Sequence, residues 1–108
     1  MDWREKCRSC FESEKVYYTR HAKLEMEKEE FGKIFDQEVF EAVSNGEVIE
    51  EYPEDKPYPS VLIYGKANSN RPLHLVCAYN DADDLIIVVT VYEPDPNLWI
   101  DFKERKTT

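Results

Sequence analysis

Two histidines, His21 and His74, are the only ones in a chain of 108 residues. With an unperturbed pKa of about 6.5, a histidine can accept or donate a proton around neutral pH, as acid–base cleavage of a phosphodiester requires. Cations stand near both: Arg20 abuts His21, Arg71 lies three residues before His74, and Lys103 and Arg105 are close to the C-terminus. Arginines in such a set would stabilise charge developing on a phosphate. Tyr92, at the end of an apolar run, would present its hydroxyl at the sheet edge. Each residue also has a structural reading. His21 starts a helix, His74 hydrogen-bonds inside a sheet, Arg71 and the C-terminal cations are solvated charge, and Tyr92 packs with its hydroxyl in water.

The residues from Arg71 to Tyr92, RPLHLVCAYNDADDLIIVVTVY, read as a hairpin that must position most of this chemistry. Leu73 to Tyr79 and Leu85 to Tyr92 are rich in Val, Ile, Leu and Tyr, and the polar insert Asn80 to Asp84 makes the turn. Side chains alternate along a strand, so His74, Val76 and Ala78 are expected on one face, and Ile86, Val88, Thr90 and Tyr92 on one face of the partner.

The rest of the chain supplies a frame for that hairpin. Met1 to Glu14 reads as an N-terminal extension, flexible or a short helix, before a single domain over residues 15–108. KVYYTR (15–20) fits a short strand leading into His21. Residues 21–31 fit a first helix with Leu24 and Phe31 on one face, and Asp36 is a plausible N-cap for a second helix with Val39, Phe40 and Val43 as its apolar stripe. Asn45-Gly46 offers a left-handed stop. Glu47 to Tyr52 and Ser60 to Gly65 read as strands around an exposed Pro-rich connection, and Asn97 to Lys106 as a short helix or turn packed on the sheet by Trp99, Ile100 and Phe102. The expected class is α+β: a short N-terminal strand and two helices packed on an antiparallel β-meander.

The totals restrict the function. A net charge of -9, from 14 Lys plus Arg against 23 Asp plus Glu, argues against generic charge-driven binding to nucleic acid. No apolar run has the length of a spanning helix and MDWREKCRSC has no signal-peptide segment, so the chain reads as cytoplasmic, away from membranes. Cys7 and Cys10 form a lone C-x-x-C without the second ligand pair a structural zinc site needs, and are expected to be free thiols in a mobile segment. A redox pair or a metal site shared with another chain is the alternative. The acidic stretches Glu25 to Glu30 and Glu47 to Asp55 look like exposed faces, with no calcium-loop pattern and no phosphate-cradling glycine loop. No cofactor and no metal are expected.

YTRHA (18–22), NGEVIEEYPEDKPYPSVLIYG (45–65), RPLHLVCAY (71–79) and TVYEPDPNLW (90–99), followed by Arg105, together resemble domain-of-unknown-function family 4258. The resemblance covers roughly residues 15–106. It implies a small prokaryotic protein similar to the RelE and MqsR type toxins, with a RelE-like α+β fold that cleaves messenger RNA without a metal, often on the ribosome. It also implies a neighbouring zinc-finger, helix-turn-helix antitoxin as partner. On this resemblance the catalytic set is His21, Arg71, His74, Tyr92 and Arg105. Where a basic residue is expected one helical turn after the first histidine, this chain has Glu25. Two functions follow as expectations: a toxin-like endoribonuclease, and a non-catalytic acidic module that engages a basic partner such as a DNA-binding regulator. Oligomeric state is not legible at this level.

Overall fold

The computed structural model describes residues 2–107. Three helices cover one face of a five-stranded sheet, and a C-terminal hairpin lies on the other. In chain order the elements are α1 (Trp3–Glu12), β1 (Val16–Tyr18), α2 (Arg20–Lys28), α3 (Asp36–Asn45), β2 (Glu47–Tyr52), β3 (Ser60–Lys66), β4 (Pro72–Asn80), β5 (Leu85–Tyr92), β6 (Trp99–Ile100) and β7 (Glu104–Arg105). The large sheet has the order β1-β5-β4-β3-β2, and β6 and β7 pair only with each other. β2 to β5 form the expected antiparallel meander, but β1 adds to β5 in parallel, so the sheet is mixed. The α+β class stands, with three helices in place of two.

The additional helix is α1. Asp2 caps it by accepting from the Glu5 amide, and its buried side is Cys7 and Cys10. The two thiols share one core with Ala22 and Met26 of α2, Val39 and Val43 of α3, and Leu73, Leu75, Cys77, Ile86 and Val88 of the sheet. Cys7, Cys10 and Cys77 carry free thiols. Of the two readings of the N-terminal segment the short helix is the one observed, and the thiols expected in a mobile segment are buried: Trp3, Cys7, Cys10 and Phe11 recur at helical spacing, with Trp3 and Phe11 packed against the core beside the thiols. Lys6 further ties it to Asp84, in the β4–β5 turn, at 3.3 Å.

Two local departures decide which side chains face where. β5 carries a bulge at Val89: Cys77 pairs with Val88 and Val76 with Thr90. One extra residue flips the alternation, so Ile86 and Val88 face the helices while Thr90 and Tyr92 face away from them. The single expected face for these four residues is therefore split. In α2 the buried residues are Ala22 and Met26, and Leu24 and Phe31 are exposed, 45% and 47%. The helix stops at Lys28, and the following turn places Gly32 at φ 109° and buries Ile34, so Phe31 never joins a helical face.

α3 begins at Asp36, with Phe35 at the N-cap position and Glu38 reaching back to the Phe35 amide. Gly46 ends it in an extended conformation, φ -76°, not a left-handed one. Glycine is required there by contact: a Cβ would stand 2.7 Å from both the Ala42 carbonyl and Ile63. Asn97 to Lys106 is neither a helix nor a simple turn but the hairpin β6–β7, with Trp99 buried against the sheet.

Candidate functional site

Register fixes a polar face on the side of the sheet opposite the helices. One cross-strand row runs Glu47, Tyr64, His74, Tyr92, and the next runs Glu50, Leu62, Val76, Thr90. The C-terminal hairpin covers the first row. His74 is fully buried, with Trp99 edge-on at 4.4 Å and Tyr64 at 6.0 Å between ring centroids. Its Nε2 lies 2.6 Å from the Phe102 carbonyl and its Nδ1 3.0 Å from the Tyr92 hydroxyl. A carbonyl only accepts, so Nε2 carries the proton, and in the neutral ring Nδ1 accepts from Tyr92. Burial pushes the imidazole below its ordinary 6.5, against the pull of the Phe102 bond, which keeps the ring neutral at pH 7. The same burial raises the Tyr92 hydroxyl to about 12, with Tyr52, Glu50 and Glu25 adding to the rise and Arg105 opposing it.

Arg105 closes this cluster from the hairpin. Its guanidinium stacks on Trp99 at 4.6 Å and bonds both oxygens of Glu50, at 3.2 and 3.3 Å. Glu50 also accepts from the Tyr52 hydroxyl, and that bond, aided by Arg105 and opposed by burial, holds its carboxyl below the usual range. Lys103 pairs in the same manner with Glu47 at 2.7 Å.

His21 borders the same face from α2. Thr19 caps that helix by accepting from the Ala22 amide, and its own hydroxyl bonds the carbonyl of the bulged Val89, which welds the helix start to β5. One turn on, Glu25 lies against β5 beyond the end of β1, where its carboxylate accepts from the Thr90 hydroxyl and the Val91 amide. Glu29 does the same for Glu93. The two carboxylates take the place of a missing strand on that edge. His21 Nε2 is 3.3 Å from Glu25, and the ring is 69% exposed. At that separation the two form an ion pair when the ring carries a proton, and the imidazole stays open to solvent. The residue that departs from the expected basic position thus has an architectural role and stands beside His21.

Arg71 lies elsewhere. It falls on the helix side of the sheet, where Nε meets Glu93 at 2.5 Å and Nη1 meets Glu38 at 3.2 Å and the Lys33 carbonyl at 2.9 Å. Nη2 bonds the Gly32 carbonyl. Of the five site residues read from sequence, the fold brings His74, Tyr92 and Arg105 into one cluster, sets His21 at the margin of their face, and separates Arg71 from all of them. Glu50, Tyr52, Thr90 and Trp99 escaped notice. Trp99 beside a cationic tail was the one visible signal; Glu50 sat inside an acidic run that reads as a solvated face. Among the described residues no group of three or more His, Cys, Asp or Glu side chains forms a metal site, and no helix is long and apolar enough to cross a membrane.

The sequence signature of the family described as Domain of unknown function (DUF4258) matches residues 18–93, well over half the chain. The chain belongs to this family. The DUF4258 segment holds α2, α3 and β2 to β5 whole with only the last residue of β1, and includes His21, Arg71, His74 and Tyr92, whereas the hairpin with Trp99, Lys103 and Arg105 lies beyond it. No curated protein and no solved structure matches the chain significantly.

Proposed function

We propose that this DUF4258 protein is a metal-independent endoribonuclease of the toxin type, RelE-like in its mode of action, acting from the polar face of the sheet. The observation that supports this reading is the exposed His21–Glu25 pair at the margin of the face that carries Tyr92 and Arg105. His21 Nδ1 takes the proton from a ribose 2′-OH, and Glu25 stabilises the imidazolium that forms. O2′ then bonds to phosphorus and the 5′ oxygen leaves, protonated by Tyr92, or by His74 once its Nε2–H is released from the Phe102 carbonyl. Arg105 balances the charge on the phosphate, a role Arg71 does not share because its donors are taken on the opposite side. A zinc-finger, helix-turn-helix antitoxin would be the cognate partner, and ribosome-bound messenger RNA the substrate. Primer-extension mapping of cleaved transcripts after induction tests this. Cleavage and growth arrest are expected for the native chain and a loss of at least 100-fold for His21→Ala; equal cleavage by the two removes the assignment.

A second reading rests on a separate observation. Arg71, Lys103, Arg105 and His21 each face a carboxylate, and the chain carries -9 overall, which suits a cationic protein surface better than a polyanion. Harmless expression together with a stable complex with a basic DNA-binding regulator would favour that module.

A further inference from the structure

Among the described residues, 99–105 make no backbone-to-backbone hydrogen bond to the large sheet. β6 and β7 bond to each other and, among the described residues, to no strand of the larger sheet. The ties to the sheet are the His74–Phe102 carbonyl bond, the Trp99 and Phe102 rings over His74 and Tyr64, and the ion pairs Lys103–Glu47 and Arg105–Glu50. Both pairs are open to water, with cation side chains 51% and 61% exposed, and such pairs hold weakly.

The turn of this hairpin is itself strained. Asp101 and Phe102 sit at φ 51° and 62°, and the Lys103 amide closes the turn on the Ile100 carbonyl at 3.0 Å. Two successive left-handed residues form the hairpin turn that prefers Asn-Gly, and a bulky Phe is unfavourable in it. What the strained geometry achieves is the aim of the Phe102 carbonyl at His74. At the other end, buried Pro94 and then Pro96 separate the hairpin from β5 and give it a fixed root.

We infer that residues 99–105 form a strap which, closed, occludes His74 and occupies its Nε2–H, so that the protein folds in a self-blocked state and exposes His74 only when the strap lifts about Pro94. The inference rests on the ribonuclease reading for its biological meaning, since lifting the strap turns a buried histidine into an available proton donor beside Tyr92 and releases Arg105 from Glu50 for the phosphate. The opening itself is independent of that reading. Because no backbone ladder is broken, the strap lifts without loss of the sheet.

Ethoxycarbonylation by diethyl pyrocarbonate, resolved by peptide mass spectrometry, reads the strap directly, with exposed His21 as internal reference. In the native chain His74 reacts slowly. In Lys103→Glu/Arg105→Glu, where like charges oppose Glu47 and Glu50, the His74 rate relative to His21 is expected to rise tenfold or more. Adding Glu47→Lys/Glu50→Lys to that variant restores the slow rate. Amide exchange in β4 and β5 is unchanged throughout. An unaltered His74 rate in the charge-reversed chain overturns the strap, as does a rise that appears only together with faster exchange across β4 and β5. No RNA is present in the measurement, so failure of RNA cleavage leaves its outcome intact and bears on the catalytic reading alone.

Discussion

His74 and Arg71 stand three residues apart yet serve opposite sides of the sheet, and their substitutions separate accordingly. The unfolded chain protonates His74 near its ordinary 6.5, while the folded chain resists because the ring is buried. Unfolded molecules therefore bind more protons, and stability falls as pH drops from about 6.5 through the lower folded value. Glu50, held low by Tyr52, adds a second loss further down, which begins at the ordinary carboxylate value and runs to the lower folded one. Urea titrations at about pH 7.5 and pH 5.5 check this: the native midpoint should drop across the interval and the His74→Gln midpoint should drop less. Arg71 lies between two carboxylates with its side chain only 15% exposed. Arg71→Met leaves Glu38 and Glu93 facing each other and should cost about 2–4 kcal/mol, short of a fully buried pair. Chemical denaturation measures it, and Glu38→Gln/Glu93→Gln in the Arg71→Met background should recover part of the loss.

The bulge at Val89 and the helix that caps it are one device. The bulge turns Thr90 and Tyr92 away from the helices, and α2 satisfies the edge it leaves through Thr19, Glu25 and Glu29. Glu25→Ala removes the acceptor for the Val91 amide and the Thr90 hydroxyl, at an expected cost of about 1–2 kcal/mol. Hydrogen exchange should show Val91 opening faster while the β3–β4 amides keep their protection; unchanged Val91 exchange would mean that water substitutes fully for the carboxylate. The strands β2 to β5 were readable from alternation and β-branched composition. The bulge was not, because IIVVT offers no residue that marks where the alternation breaks, and pairing with Val76 and Cys77 selects Val89. Leu24 and Phe31 misled for a related reason: helical spacing shows that two residues could share a face, not whether the helix persists long enough for them to do so.

At the scale of the whole molecule, α1 belongs to the same core as the sheet, so its thiols report on global stability. Cys7, Cys10 and Cys77 are at most 2% exposed. Their reaction with a disulfide reagent in rising urea should coincide with the tryptophan fluorescence transition; Cys7 and Cys10 reacting well before Cys77 would instead show α1 detaching by itself. The sequence by itself determined the α+β class, the meander strands, α3 and the cluster of motifs that marks the family, because these depend on local propensity and on residue order. It also determined that His74 and Tyr92 would be strand residues. Only the tertiary structure decided which of the polar residues meet. Arg71 and His74 point to opposite faces by strand alternation, Glu25 acquires its role from an edge that β1 fails to reach, and Arg105 reaches the cluster only because the hairpin folds back over His74. Those outcomes follow from contacts between residues distant in the chain, such as Arg105 with Glu50 and Phe102 with His74, and no local pattern encodes them.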